Sequence, residues 1–185
     1  MMVSYVILGV VVILLVYVLI VYNQLVTVKQ RVQNAWSQVD VQLKLRYDLV
    51  GNLVETVRAY AAHEQETLEK VTLMRQKAMA AQSLPDQAQA ENKLEGAVRG
   101  LLAVAENYPA LKADANFRQL QQQLKEIEDK IAFARMFFND TVLKYNLKVQ
   151  MFPSNLVARL FQRRSMPYFS LDDQSEAREG IEVKF

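Results

Sequence analysis

The stretch LKLRYDLVGNLVETV, Leu43 to Val57, sets Arg46, Asp48, Gly51 and Asn52 among leucines and valines. A guanidinium, a carboxylate and a carboxamide this close together could hold a substrate. They could equally satisfy the free backbone groups where one helix ends and another begins. Asp48 is a good helix N-cap, and Gly51 costs about 1 kcal/mol in a helix interior relative to Ala. The spacing therefore predicts a helix-to-helix corner at Tyr47 to Gly51, with Arg46, Asp48 and Asn52 saturating its polar groups.

Other chemistry-bearing patterns are weaker. HEQE, His63 to Glu66, lacks the second histidine that a zinc-protease helix needs four residues on, where Thr67 stands, so a solvated helix face is expected. With 1 His and 0 Cys in the chain, multi-His and thiolate metal sites and Cys nucleophiles are excluded. In ARMFFNDTVLKYN, Arg135 precedes Asn139 by one helical turn, and the pairs Phe138/Tyr145 and Asn139/Asn146 each share a face. Asparagines beside a bundle seam fix register through hydrogen bonds, with partner binding as the alternative. Glu126, Glu128 and Asp129 read as a solvated face. GAVRG, Gly96 to Gly100, has the small-residue spacing that permits close helix packing. No Gly-rich phosphate loop or nucleophile elbow occurs in the sequence. No catalytic, cofactor-binding or metal residue is expected, and no enzyme.

The elements that would carry these residues are helices. The chain is 51% hydrophobic with only 5 Gly and 4 Pro, which leaves room for long unbroken helices. Its 22 basic and 20 acidic residues give a net charge of +2 and no global reason to bind nucleic acid. From Met1 to Val28 no side chain is charged, and about 20 apolar residues suffice to cross a bilayer as a helix. Tyr5, Tyr17 and Tyr22 suit interfacial positions, and the positive n-region of a signal peptide is missing. Residues 1–23 are therefore expected to be a transmembrane anchor. Lys29 and Arg31 follow it, so the N-terminus is expected outside and the remainder in the cytoplasm.

Apolar residues then recur at steps of three and four. They predict helices at about 24–47, 50–82, 86–107 and 114–151, with breaks near Gly51, Pro85, Pro109 and Pro153. The expected fold is all-α: a transmembrane helix running into an antiparallel up-and-down four-helix bundle over residues 24–151. Residues 152–185 form an amphipathic segment and tail. Because the fourth helix returns to the membrane, Phe152 should lie near the bilayer surface. Beyond it, Leu156, Val157, Leu160 and Phe161 form an apolar face beside Arg159, Arg163 and Arg164. That composition suits lipid or a neighbouring subunit.

Several long motifs resemble one family. YNQLV and AWSQVDVQLKLRYDLVGNLVETVRAYAAHE are closely similar to the LemA family. So are AENYPALKADANFRQLQQQLKEIEDKIAFARMFFNDTVLKYNLKVQMFPSNLVA and the ending MPYFSLDD. The resemblance runs from the anchor to about Asp173, with one departure: relatives usually carry Pro where this chain has Gly51. Were Gly51 in a first helical turn, Gly51→Pro would be tolerated or slightly stabilising. The resemblance implies a self-assembling, single-pass inner-membrane scaffold or adaptor in membrane-protein quality control or envelope stress. It implies a membrane zinc metalloprotease of the heat-shock-protease type as a partner, and one branch of the family serves magnetosome membranes. A sensor signalling through the bundle, or a hydrolase with a site formed between subunits, are the alternative readings.

Overall fold

The computed structural model describes residues 2–170, and the expected tail beyond Ser170 lies outside the described residues. Every regular element among them is a helix: α1 (Met2–Tyr60), α2 (Gln65–Ala80), α3 (Leu84–Ala105), α4 (Pro109–Ala113), α5 (Ala115–Gln150) and α6 (Ser154–Leu160). The protein is all-α, with four long helices and two short ones among the described residues.

The corner expected at Tyr47 to Gly51 is not there. Helix α1 runs unbroken through it, and the chain reverses instead at Ala61 to Glu64. The predicted helices at 24–47 and 50–82 are thus wrongly divided: residues 50–60 belong to α1 and only Gln65–Ala80 form the second helix. One apolar stripe continues across the turn, since Val50, Val54, Val57, Ala61, Leu68, Val71 and Ala78 are all buried. No Gly or Pro marks the true turn. It is held from outside: Tyr108 donates its hydroxyl hydrogen to Glu64 Oε1 at 3.1 Å, and Tyr60 donates to Asp114 Oδ2 at 3.0 Å.

Later boundaries follow local chemistry. Ser83 caps α3, its Oγ accepting the Asp86 N–H at 3.2 Å, with Pro85 in the first turn where a missing N–H costs nothing. Asp114 Oδ1 accepts the Phe117 N–H at 2.9 Å and opens α5. That bond, then the Tyr60 hydroxyl, holds the Asp114 carboxyl below its ordinary pKa.

The chain divides into two compact units. One contains Asp40–Phe133: the C-terminal part of α1, helices α2, α3 and α4, and the start of α5. Its core holds Leu43, Val50, Leu53, Leu94, Leu101, Leu111, Phe117 and Ile131. The other contains the chain up to Val39 together with Ala134–Tyr168, so that α1 lies against α5 and α6. Here Val32, Ala35, Val39, Phe138, Val142 and Tyr145 are buried, and Trp36 meets Phe138 edge-on with ring centroids 5.4 Å apart. Before Tyr17 the side chains of α1 are exposed, and its apolar window is long enough to cross a membrane and 0% buried.

Candidate functional site

Three of the four residues first singled out, Asp48, Gly51 and Asn52, lie outward or half-outward along α1. Arg46 does not. It is 1% exposed, and its charge is met from two other helices: Nη1 lies 2.9 Å from Glu91 Oε2 of α3, and Nε lies 2.9 Å from Glu128 Oε1 of α5. Glu91 is also 1% exposed. It accepts hydrogen bonds from the Tyr47 hydroxyl and, at 3.0 Å, from Gln87 Nε2. Gln87 Nε2 further reaches the Tyr47 oxygen at 2.8 Å and the Ala78 carbonyl at 3.2 Å, tying in the end of α2. Burial, and then the Glu91 carboxylate, push the Tyr47 phenol far above its ordinary value.

This cluster replaces the expected helix junction. Asp48 is no N-cap; its carboxylate lies 4.0 Å from Arg75. Asn52 contributes its carbonyl, which accepts from the Thr56 hydroxyl at 2.9 Å. A Cβ at Gly51 would sit 3.4 Å from the Arg75 guanidinium, whose Nε donates to the Tyr47 carbonyl at 2.6 Å. The expectation that Gly51→Pro is tolerated therefore fails, because Gly51 lies inside a helix. Glu128 likewise leaves the expected solvated face for an ion pair with Arg46. Glu91, Tyr47 and Gln87 were missed, although Glu91 falls in step between Ala88 and Leu94 on the buried face of α3.

Two further expectations are corrected. Gly96 and Gly100 are exposed, and a Cβ at either would meet nothing within 4 Å, so their spacing serves no close helix approach. His63 sits exposed in the turn after α1 rather than on a helix face.

The α5 residues divide by face. Phe138 and Tyr145 are core, and Arg135 and Asn139 are half-buried. Asn146 pairs twice with the backbone of Met166: its Nδ2 donates to the carbonyl at 2.9 Å and its Oδ1 accepts the N–H at 2.8 Å. It fixes the chain's own C-terminal segment along α5. On the outward face, Met136, Phe137, Leu143, Leu147 and Met151 are each between 43% and 62% exposed. Steps of seven, four and four from Met136 to Met151 line four of them up along one helix side. An Asp140–Lys144 ion pair of 2.7 Å lies on the same side. A cleft of about 410 Å³ adjoins it, walled by Val28, Ala35 and Phe137 and by Arg31, Lys144 and Lys148.

Helix α6 packs Val157 and Ala158 against Val21 and Leu25 of α1. It ends in a Schellman turn: the Arg163 N–H reaches the Ala158 carbonyl at 2.8 Å, the Gln162 N–H reaches that of Arg159 at 3.0 Å, and Gln162 takes φ 52°. The turn sets Phe161 4.6 Å from the Tyr22 ring and the Arg163 guanidinium 5.8 Å over it. The single apolar face expected for this segment is therefore split. Val157 turns inward and Phe161 meets Tyr22, whereas Phe152 (78%), Leu156 (57%) and Leu160 (70%) remain exposed.

Nothing in these arrangements pairs a nucleophile with a base. Among the described residues no group of three or more His, Asp or Glu could hold a metal ion. The buried Arg46, Glu91, Tyr47 and Gln87 are engaged mainly with one another.

Comparison with known proteins gives consistent relatives. Residues 35–185 match the LemA family. Magnetosome protein MamQ 2 of Paramagnetospirillum magneticum is 26% identical over 174 residues, covering 80% of this chain and 64% of its own. Magnetosome protein MamQ of Magnetospirillum gryphiswaldense is 25% identical with the same coverage. Protein LemA of Metamycoplasma hominis is 26% identical over 153 residues, covering 82% of this chain and 69% of its own. The chain thus spans slightly less than two thirds of the magnetosome relatives. None of these names states an enzymatic activity.

Proposed function

The chain belongs to the LemA family, and from that premise we propose that it is a non-enzymatic, single-pass membrane scaffold that assembles with copies of itself. Its apolar N-terminal helix and its magnetosome relatives fit a membrane protein. The observation that carries the self-assembly reading is the outward face of α5, where Met136, Phe137, Leu143, Leu147 and Met151 stand unpartnered. Soluble surfaces rarely keep a contiguous apolar strip of this kind unless another surface covers it. A neighbouring bundle laid along α5 would cover it as one helix packs on another.

The flank of Lys29 and Arg31 supports an N-terminus outside the cell membrane and the bundle in the cytoplasm. A membrane zinc metalloprotease is the partner class implied by the family resemblance, and co-purification from native membranes tests it. A sensor reading draws on α1, which passes from the apolar span to Tyr60 without a break and could carry a movement along its axis.

The scaffold reading is tested by mass in mild detergent. The wild-type chain should run as a defined multiple of 21.2 kDa, and Leu143→Glu with Leu147→Glu should reduce it to one copy with its helicity kept. A wild-type monomer, or a variant that keeps the full assembly mass, would overturn the proposal.

A further inference from the structure

Charge is distributed unevenly between the two units. The residues up to Val39 and Ala134–Tyr168 carry eight basic side chains against one acidic, Asp140. The rest of the chain carries 14 basic and 19 acidic side chains. A net charge of +2 for the whole chain therefore hides one strongly positive unit, and it is the unit that contains the apolar span.

Within that unit α6 is seated at one particular level. Val157 and Ala158 pack on Val21 and Leu25, with Tyr17, Val18 and Tyr22 around them, so α6 lies beside the last turns of the uncovered apolar segment. Tyrosines at this level mark the boundary between hydrocarbon and headgroups. From the same place Phe152, Leu156 and Leu160 point away from the protein, and Arg159 and Arg164 are exposed beside them.

We propose that α6, with Phe152 before it, is a second membrane contact that lies in the plane of an anionic leaflet beside the transmembrane helix. Its occupant is a lipid surface rather than a second copy. The exposed apolar side chains are continuous with the span, and the surrounding charge is positive. The hydrophobic side chains enter the acyl boundary, and the exposed Arg159 and Arg164 face lipid phosphates, which attract such residues near an anionic leaflet. Because α6 is fixed to α1 through Val157 and Ala158, and the segment that follows it is fixed to α5 through Asn146 and Met166, this contact sets the depth and tilt at which α1 crosses. The contact does not depend on the α5 assembly face.

The test uses the full chain, one copy per lipid nanodisc, with Trp36→Phe and Leu160→Trp so that the only tryptophan reports on α6. In discs of phosphatidylcholine and phosphatidylglycerol, acyl chains brominated near the headgroup should quench its emission. Quenching should weaken when phosphatidylglycerol is omitted or when the exposed Arg159 and Arg164 are changed to Gln. Leu143→Glu with Leu147→Glu should leave the quenching unchanged, so failure here is distinguishable from failure of the assembly reading. Emission unaffected by brominated lipid would overturn the proposal. A loss of oligomer mass on Leu156→Glu with Leu160→Glu, in the absence of lipid quenching, would assign the surface to a neighbouring subunit instead.

Discussion

Replacing Glu91 by alanine would leave Arg46 charged inside the bundle with half of its compensation gone. Arg46 and Glu91 are each 1% exposed, whereas the remaining partner, Glu128, is 36% exposed and shares its charge with water. The variant removes the acceptor of Arg46 Nη1, Tyr47 Oη and one bond of Gln87 Nε2, and Arg46 Nη2 already lacks a hydrogen-bond partner. Breaking a buried ion pair on one side typically costs about 3–5 kcal/mol, because an uncompensated charge stays buried. A bonded phenol deprived of its acceptor belongs to the same loss and is not added to it. The double variant Arg46→Met with Glu91→Leu removes both charges and should lie within about 1–2 kcal/mol of wild type. Urea unfolding followed by circular dichroism on the detergent-solubilised chain measures both, and the pair belongs in a double-mutant cycle. A cost below about 1 kcal/mol for Glu91→Ala would refute the reasoning, since it would mean that water reaches Arg46 as soon as its partner leaves.

The same cluster predicts an alkaline dependence. Burial keeps the Tyr47 phenol protonated when folded, whereas the unfolded chain releases that proton near pH 10, so stability is full below that pH and falls above it. Tyr47→Phe should flatten the fall, read as the pH profile of the urea midpoint. Gly51→Pro should destabilise by roughly 2 kcal/mol, the difference between Gly and Pro in a helix interior. The Arg75 bond to the Tyr47 carbonyl keeps the loss from growing, and thermal melting checks it. Gly96→Ala with Gly100→Ala should raise stability by up to about 2 kcal/mol together, because α3 has open space at both positions. Gln162→Gly should stabilise by up to about 1 kcal/mol by relieving a left-handed backbone at the end of α6, measured by hydrogen exchange across residues 154–165.

The helical class, the apolar span and the ends of α3 and α5 were legible because each rests on a local signal, periodicity or a proline. The end of α1 was not. The buried stripe stays in phase from Val57 through Ala61 to Leu68, so periodicity does not register the turn, and the residues that hold it, Tyr108 and Asp114, come more than forty positions later. Gly51 supplied a plausible break nearby, and tertiary packing overrode its propensity. Arg46 was noticed for its charge but assigned to a junction. Its partner could have been found by asking which acidic residue stands in step with a buried stripe, which is Glu91 between Ala88 and Leu94. The α6 segment was recognised as amphipathic, yet its split into an inward Val157 and an outward Leu156 and Leu160 depends on where Val21 and Leu25 stand, which no local pattern carries.

The proposal that copies assemble along the outward face of α5 is tested most directly in native membranes. The chain has 0 Cys, so Leu147→Cys introduces one unique thiol on that face, and Glu69→Cys on exposed α2 is the control. Mild oxidation of isolated membranes should give a disulfide-linked dimer from the Leu147 variant and none from the Glu69 variant. A monomer from both, at native expression, would contradict the account.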